Sequence, residues 1–250
     1  MLGSIVGSFL NVCIWRLPRG ESVVRPSSKC PGCQTPIKPR DNIPLLSYLL
    51  LRGKCRACGE PISPKYPAVE AANGLLYVLL YYKFGLSGET FFYFAFASAL
   101  LVIALIDFEH QIIPDEITLP GTALGLVAGW LFLPDPFLRA SILGFKSSII
   151  GALVGFGLYY LVAVASRGGM GGGDIKMMAM VGAILGWKGV LFTTFAGSLA
   201  GSLLGIYLMV FRGKGRKSKI PFGPFLALGA LVALVFGQEI LAWYLGYGRY

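Results

Sequence analysis

Two aspartates, Asp107 and Asp174, are the residues of this chain whose surroundings most clearly suggest chemistry. Asp107 ends the apolar run FASALLVIALID, and Asp174 closes the glycine cluster GGMGGGD shortly before the apolar run MMAMVGAILGW. A carboxylate at the edge of a hydrocarbon segment is costly to place there, so such a residue is expected to face protein or water at a functional site. Two acids of this kind suggest an acid and a base that act together.

Two carboxyl groups held close together do not both ionise easily, and they therefore share a proton. The ionised member can take a proton from water while the protonated member polarises a scissile carbonyl, so a peptide bond is hydrolysed without an acyl-enzyme. The glycines before Asp174 would allow tight turns and a close approach of a substrate backbone. The residues alone leave a structural alternative open, in which Asp174 is the N-cap of the next helix and Asp107 ends its helix among lipid headgroups.

The composition places these acids in a membrane protein. Of the 250 residues, 55% are hydrophobic and 14% are charged, which is typical of a polytopic helix bundle. No cleavable signal peptide is indicated, because residues 2–15 run into Arg16 without a small-residue cleavage site. A span needs about 20 residues, so we expect either that the start of the chain is trimmed or that Met1 already lies within the bilayer.

The apolar segments predict an all-α fold, a polytopic bundle of about eight transmembrane helices. They lie at residues 2–15, 67–84, 90–107, 117–133, 144–165, 175–187, 189–211 and 221–245. The sixth and seventh are separated only by residues 186–189, which predict a tight interfacial turn with Trp187 as an aromatic anchor. Glycines at four-residue spacing are interpreted as helix-packing positions. They are Gly121, Gly125, Gly129, Gly151, Gly155, Gly197, Gly201 and Gly205.

The distribution of charge orients the predicted bundle. Ten Lys and Arg lie between Arg16 and Lys65, and five more lie between Arg212 and Lys219, so both loops are expected in the cytoplasm. The even number of predicted spans between them makes the two assignments consistent and places both aspartates on the cytoplasmic side. The net charge of +10 is attributed to this orientation and to contact with anionic lipid. Nucleic-acid binding is not expected, because the basic residues lack interleaved stacking aromatics.

The loop of residues 16–66 is the only segment long enough to fold as a separate small domain. It contains two CxxC pairs separated by 21 residues, a spacing typical of a structural zinc site with four thiolate ligands. The metal would supply the core that so short a segment lacks. Disulfides are the alternative, which a reducing cytoplasm disfavours. The candidate ligands are Cys30, Cys33, Cys55 and Cys58.

Short motifs follow one another along nearly the whole chain. They are GSFLNV at 7–12 with RLP at 16–18, CPGC at 30–33, NIP at 42–44, CRAC at 55–58, YP at 66–67 with Glu70, Asp107 followed by IPD at 113–115, the run from Gly171 to Lys176, and IPFGP at 220–224. This series resembles the bacterial type IV prepilin peptidase family of GxGD intramembrane aspartic proteases. Many relatives carry a second aspartate two residues after the first catalytic one, where this chain has Glu109; the charge is kept, and we expect activity to be retained.

The resemblance implies an enzyme that removes the short leader of type IV prepilins and type II secretion pseudopilins at the cytoplasmic face of the bacterial inner membrane. Most members also N-methylate the new amino terminus with S-adenosylmethionine. By this analogy Asp107 and Asp174 are catalytic, the four cysteines hold zinc, and the cysteine loop serves methyl transfer with Gly53 and Lys54 as candidates. The implied organisation is a first transmembrane helix at 1–15, a cytoplasmic four-cysteine zinc-binding loop domain at 16–66 and a transmembrane aspartic peptidase bundle at 67–250.

Glu70 lies near the start of the second apolar segment, where an unpaired carboxylate is costly. It is interpreted as a contact for the substrate amine, for the basic leader or for methyl transfer, with pairing to a lysine such as Lys65 as the alternative. Because leaders in this family are short and basic, the basic 16–66 loop is not expected to attract them. The acids expected to do so are Glu70, Asp107, Glu109, Asp115, Glu116 and Asp174.

The remaining polar residues near the aspartates have structural interpretations as well as functional ones. Asp115, with Glu116, is interpreted as a helix start after Pro114 rather than as a direct catalyst. Lys176 is close enough in sequence to act on Asp174 by charge attraction, and a structural or lipid contact is the alternative. His110, the sole histidine, is interpreted as a hydrogen-bonding residue.

Two functions from other classes are weighed against this interpretation. Another GxGD intramembrane protease, of the presenilin or signal peptide peptidase kind, is disfavoured by the CxxC pairs and the IPFGP run. A membrane transporter with a zinc knuckle would need ionisable groups near the midplane and internal pseudo-symmetry, and the sequence offers neither.

Overall fold

The computed structural model describes residues 1–138, 141–166, 169–212 and 221–246, apart from the side chains of Arg212 and Leu245. In these ranges the chain forms eight α-helices and two short 3-10 turns, Leu17–Arg19 and Pro39–Asp41. The helices are α1 (Leu2–Arg16), α2 (Leu46–Leu50), α3 (Lys65–Phe84), α4 (Gly88–His110), α5 (Asp115–Leu131), α6 (Gly144–Ala165), α7 (Gly172–Arg212) and α8 (Gly223–Leu245). The all-α prediction is confirmed for the described residues, which contain only isolated backbone bridges besides helices and turns.

The predicted apolar segments coincide with helices to within three residues. The sixth and seventh segments form two helical stretches, together labelled α7, that meet at a kink where Gly186 has φ 70° and ψ 179°. This left-handed backbone favours glycine, and it lies at the predicted turn. The neighbouring Trp187 is 44% exposed, as expected of an interfacial anchor.

Among the described residues, four helices are long and apolar enough to cross a membrane, namely α4, α6, α7 and α8. The helices α1 and α5 have 15 and 17 residues, fewer than the roughly 20 that a span requires. The longer α3 carries Lys65, Glu70 and Lys83, which lower its hydropathy. The chain is therefore an integral membrane protein with four candidate spans, and length and composition do not establish the predicted count of about eight.

The chain divides into two compact units, Met1–Val102 (unit 1) and Ile103–Tyr250 (unit 2). The division falls inside α4. It follows packing, whereas the predicted segments 1–15, 16–66 and 67–250 follow the expected membrane topology. Unit 1 carries the cysteine pairs, and unit 2 carries both aspartates.

In unit 1, α1 packs closely against α3 through small residues. A Cβ built on Gly7 would lie 2.7 Å from the Cα of Glu70, so these backbones approach more closely than larger residues would permit. The buried Asn73 donates a hydrogen bond to the carbonyl of Gly3 at 2.7 Å and accepts one from Ser98 at 2.9 Å. Hydrogen bonds of this kind connect α1, α3 and α4 within an otherwise apolar bundle.

In unit 2, α6 and α7 are in direct backbone contact. A Cβ on Gly151 would lie 2.1 Å from the carbonyl oxygen of Gly182, and a Cβ on Gly155 would lie 2.1 Å from that of Met178. The packing interpretation of these glycines is confirmed. The two contacts also give the antiparallel register of the helices, because a step of four residues along α6 corresponds to a step of four backwards along α7.

This packing predicts that Gly155→Ala destabilises the protein by roughly 1–3 kcal/mol, since the added methyl group must push α6 away from α7. Gly157→Ala is the matched control, because a Cβ at Gly157 meets no atom within 4 Å. Thermal unfolding of the detergent-solubilised variants, followed by circular dichroism, measures the difference. Equal midpoints for the two variants would contradict the helix contact.

Candidate active site and metal centre

Asp107 lies in the last turn of α4, and its side chain is buried, with 7% exposed. Its Oδ2 accepts the backbone N–H of Gly223 at 2.8 Å. The helix ends soon afterwards, because Gln111 adopts a left-handed φ of 56°. This burial against protein differs from the alternative in which Asp107 merely ends its helix among lipid headgroups.

Asp174 is the third residue of α7 and is also buried, with 9% exposed. Its backbone N–H donates to the carbonyl of Gly171 at 3.2 Å. Asp174 therefore lies inside the first turn, whereas the capping alternative requires the residue that precedes the helix. Asp174 is therefore not the N-cap itself, although its carboxyl group lies beside Gly171 at the start of the helix.

The segment that follows α4 is attached to the start of α7 by two contacts. A Cβ on Gly173 would lie 2.7 Å from the Cβ of Ile113, so only glycine allows this approach. The ammonium group of Lys176 lies 2.6 and 2.8 Å from the two carboxylate oxygens of Asp115. These contacts bring the end of α4, which carries Asp107, towards the start of α7, which carries Asp174.

The contacts of Ile113 and Asp115 with the start of α7 hold the two aspartates in the same region of unit 2. The two aspartates are 67 positions apart in the sequence, and both side chains are largely removed from solvent. Paired buried carboxyls are arranged for general acid–base work on a water molecule. That the two carboxyl groups form one site stays a prediction.

Tyr159, which the sequence did not single out, belongs to the surroundings of Asp174. The register of α6 against α7 places position 159 beside position 174. The side chain is 2% exposed, and its hydroxyl donates to Thr194 Oγ1 at 3.3 Å. A tyrosine inside an apolar run carries no motif, so only the helix register reveals it.

The other candidates near the aspartates are at the surface. Glu109, His110 and Glu116 are exposed. Asp115 begins α5 as expected, and its ion pair with Lys176 accounts for both residues structurally. The charge of Lys176 is thus directed to Asp115, which agrees with the structural alternative for this lysine.

In unit 1, the four predicted zinc ligands come together. The sulfur atoms of Cys30, Cys33, Cys55 and Cys58 all lie within 4.8 Å of one another. The sulfurs of Cys30 and Cys58 are 3.8 Å apart, which is about the edge of a tetrahedron with Zn–S bonds near 2.3 Å. A disulfide would require about 2.05 Å, and all four cysteines are free. The residues present therefore fit a metal ion held by four thiolates.

The two CxxC pairs lie in equivalent backbone turns. Cys30 and Cys55 each donate an N–H to the carbonyl five residues on and each accept one from the residue four positions on. Antiparallel bridges join Lys29 to Pro36 and Lys54 to Pro61. The second turn thus repeats the first with an offset of 25 residues, which makes Lys29 the counterpart of Lys54.

Gly53 has a structural explanation in this repeat. Its φ is 68°, and a Cβ would lie 3.1 Å from the ring of Tyr48. Its carbonyl accepts the N–H of Ile62 at 2.7 Å. The adjacent Lys54 is exposed. Backbone conformation and the tyrosine contact thus account for the glycine, while a role in methyl transfer remains a prediction.

An ion pair joins the region between the two turns to the second turn. Arg56 donates to Asp41 through Nε at 2.9 Å and through a terminal nitrogen at 2.8 Å. The hydrogen-bonded guanidinium holds the pKa of Asp41 below its usual value. The pair is therefore intact at neutral pH, and its contribution to the free energy of unfolding is lost as the pH falls through the pKa of Asp41.

The thiol of Cys33 is also affected by its neighbours. Hydrogen bonding with Thr35 lowers the pKa of this thiol to about 6.

Glu70 is buried in the first half of α3, with 8% exposed. Its Oε2 accepts the backbone N–H of Leu45 at 2.8 Å, and Leu45 has a left-handed φ of 61°. The carboxylate thus fixes the strained entry to α2, which leads to Tyr48 and Gly53. This contact is a positioning role within unit 1 that the sequence did not predict.

A groove of about 860 Å³ runs along one face of α1 in unit 1. Its apolar wall includes Ile5 and Phe9, and its polar end includes Arg16, Ser28 and Asn42. Leu45, held by Glu70, also lines it. The volume lies in the range of small-molecule sites.

Comparison with known proteins assigns both units. The family model described as Bacterial Peptidase A24 N-terminal domain matches residues 1–84, and the one described as Type IV leader peptidase family matches residues 94–206. A Pseudomonas putida protein named prepilin leader peptidase/N-methyltransferase is 36% identical, with 97% of this chain and 91% of that protein covered. The chain belongs to the type IV leader peptidase family.

Two further relatives in this family carry the same name. The protein from Pseudomonas aeruginosa is 36% identical over 100% of this chain and 93% of its own length, and that from Bacillus subtilis is 33% identical over 98% and 96%. No solved structure gives a significant match. The peptidase match contains Asp107 and Asp174, the N-terminal match contains the four cysteines, and Gly223 lies beyond both.

The thiolate geometry predicts one zinc ion per chain. Cys58→Ser should release the metal and unfold the 16–66 loop, because metal binding supplies folding energy to so small a unit. Cys13→Ser is the control, since Cys13 lies in α1 outside the cluster and should leave the metal content unchanged. Elemental analysis of protein purified without chelator measures the ratio. Absence of zinc from wild-type protein with free thiols would refute the prediction.

Proposed function

We propose that this chain removes the basic leader of type IV prepilins or type II secretion pseudopilins and then methylates the new amino terminus with S-adenosylmethionine. The buried pair Asp107 and Asp174 carries the proposal, because it supplies an acid and a base in a chain that belongs to the type IV leader peptidase family. The relatives named for both activities cover nearly the whole chain, including the region of the cysteine turns.

In the proposed mechanism, the two carboxyl groups share one proton. The ionised member takes a proton from water as the water attacks the scissile carbonyl, and the protonated member donates to the carbonyl oxygen. As the C–N bond breaks, the proton taken from water goes to the leaving amine, and the other carboxylate takes back a proton from a hydroxyl of the tetrahedral intermediate, which restores the pair. Desolvation by the surrounding helices strengthens these interactions, and Asp107 stays oriented by Gly223 throughout.

The proposed location is the bacterial inner membrane, with both aspartates at the cytoplasmic side. The basic segment 16–66 supports this orientation, while the second basic loop, Arg212–Lys219, lies outside the described residues apart from the backbone of Arg212. The proposed organisation keeps the membrane helix 1–15, the cytoplasmic domain 16–66 and the peptidase bundle 67–250, with the eight helical segments as spans. Anionic lipid would contact the basic loops, and no nucleic-acid partner is proposed.

The substrate's apolar helix would enter from the bilayer and place its leader junction at the aspartates. The basic leader would meet the exposed Glu109 and Glu116 and the carboxylate of the pair. Asp115 contributes less than its position in sequence suggests, because Lys176 offsets its charge. The sideways entry follows from the membrane-embedded position of the helices that carry both acids.

The metal in this proposal is zinc, held by Cys30, Cys33, Cys55 and Cys58 in a structural role. A site closed by four thiolates offers no open position for substrate or water. Zinc would instead hold the two CxxC turns together and so order the loop. No step of either reaction is assigned to it.

The methyl-transfer site is proposed in unit 1, with Gly53 and Lys54 as the candidates implied by family resemblance. S-adenosylmethionine supplies an electrophilic methyl group to the neutral amine that cleavage releases. Ser28 and Asn42 in the α1 groove suit its ribose hydroxyls, while the Arg16 guanidinium already donates to the carbonyls of Ser22 and Pro26. Glu70 would act by holding the groove residue Leu45 in place.

Asp107→Asn and Asp174→Asn are each expected to lower the rate of leader cleavage by at least 10²–10⁴-fold, the usual contribution of general acid–base catalysis. Both variants should remain folded and membrane-inserted. Glu89→Gln is the control, because it removes a carboxylate at the opposite end of the helix that carries Asp107. Cleavage of a purified prepilin, read by mass spectrometry, tests this. Near wild-type cleavage by either of the first two variants would reject the proposed pair.

Lys54→Ala is expected to reduce methyl transfer more than cleavage, whereas Lys29→Ala at the equivalent position of the first turn should spare both. Asp107→Asn should still methylate pilin that is supplied already cleaved, because only release of the amine depends on the aspartates. Mass spectrometry with and without S-adenosylmethionine separates the products. Failure of the aspartate variant on pre-cleaved pilin would place methyl transfer at the aspartates and reject the two-site proposal.

A further inference from the structure

The backbone N–H groups in the first turn of α8 have different hydrogen-bond partners. The first N–H groups of a helix have no partner within the helix. Here Phe225 and Leu226 donate to the carbonyl of Phe222 at 3.1 and 3.2 Å, and Pro224 has no N–H to donate. The N–H of Gly223 remains, and the carboxylate of Asp107 accepts it at 2.8 Å.

The contact requires glycine at this position. A Cβ on Gly223 would lie 2.7 Å from Oδ2 of Asp107 and 3.0 Å from its Cγ. Any side chain at position 223 would therefore displace the carboxyl group that the N–H now holds. The turn itself is supported from α7, since a Cβ on Gly201 would lie 3.4 Å from the ring of Phe222 and one on Gly197 3.2 Å from the carbonyl oxygen of Phe225.

We propose that Gly223 is a positioning residue for leader cleavage: its N–H and its missing side chain fix the orientation of the Asp107 carboxyl group. With Oδ2 bound to α8, Oδ1 is the oxygen left to act on water. The amide also places the positive end of the α8 dipole at a group that carries negative charge during the reaction. This inference rests on the proposed function, in which Asp107 is one of the two catalytic acids.

Gly223→Ala is expected to lower kcat for prepilin cleavage by about 10²-fold, the effect of displacing a catalytic group by about 1 Å, with KM changed less than twofold. Methylation of pre-cleaved pilin should be unaffected. Gly229→Ala is the matched control on the same helix, because its Cβ would lie 2.9 Å from the carbonyl oxygen of Thr193, away from Asp107. Gly229→Ala should lower the thermal unfolding midpoint. Its kcat should stay within about threefold of wild type, a smaller change than the roughly fivefold that corresponds to 1 kcal/mol.

Thermal unfolding provides a readout that does not depend on activity. If the added methyl group meets the Asp107 carboxyl, Gly223→Ala should lower the unfolding midpoint less in an Asp107→Ala background than in wild type. Should Gly223→Ala fail to fold, replacement of the Gly223 amide by an ester, through incorporation of glycolic acid, removes only the N–H. That variant should still show the loss of kcat.

Wild-type kcat in Gly223→Ala or in the ester variant overturns the inference, as does an equal loss of kcat in Gly223→Ala and Gly229→Ala. An unchanged midpoint shift in the Asp107→Ala background also overturns it. Active Asp107→Asn would overturn the proposed function and this inference together. An inactive Asp107→Asn beside a fully active Gly223→Ala rejects the positioning role alone.

Discussion

The cost of burying a carboxyl group at the edge of a membrane governs the architecture of unit 2. Asp107 and Asp174 are both largely buried, and an uncompensated buried charge is among the least favourable features a protein can contain. The hydrogen bond from Gly223 to Asp107 reduces that cost. The Lys176–Asp115 ion pair joins the segment that follows α4 to the start of α7. The helices are arranged so that both acids are protected from solvent.

Close backbone packing between α6 and α7 fixes this arrangement of the helices. The contacts of Gly151 and Gly155 with α7 leave no room for sliding, because a shift along the helix axis would bring larger residues against the same carbonyl groups. The register in turn places Tyr159 beside Asp174. Glycines that look like simple packing positions thus determine which side chains surround the acids.

Unit 1 solves a different physical problem, the folding of a short polar loop. Its two equivalent turns bring four sulfurs to a spacing that suits one metal ion, and the Asp41–Arg56 pair and the Glu70–Leu45 hydrogen bond attach the flanking segments. The repeat also gives Gly53 and Lys54 a structural role, because both positions belong to the turn that forms around the second cysteine pair.

Local patterns in the sequence were sufficient to predict the long helices and the cluster of four cysteines, because hydropathy and CxxC spacing act over short distances. The short helix α2 was not predicted, and the roles of the two acids stay predictions. Local patterns were also sufficient for the family. The partners of Asp107, Lys176 and Glu70 were decided only by tertiary structure: Gly223 is 116 residues from Asp107, and Asp115 is 61 residues from Lys176. No local rule relates such positions, since their proximity follows from how whole helices pack.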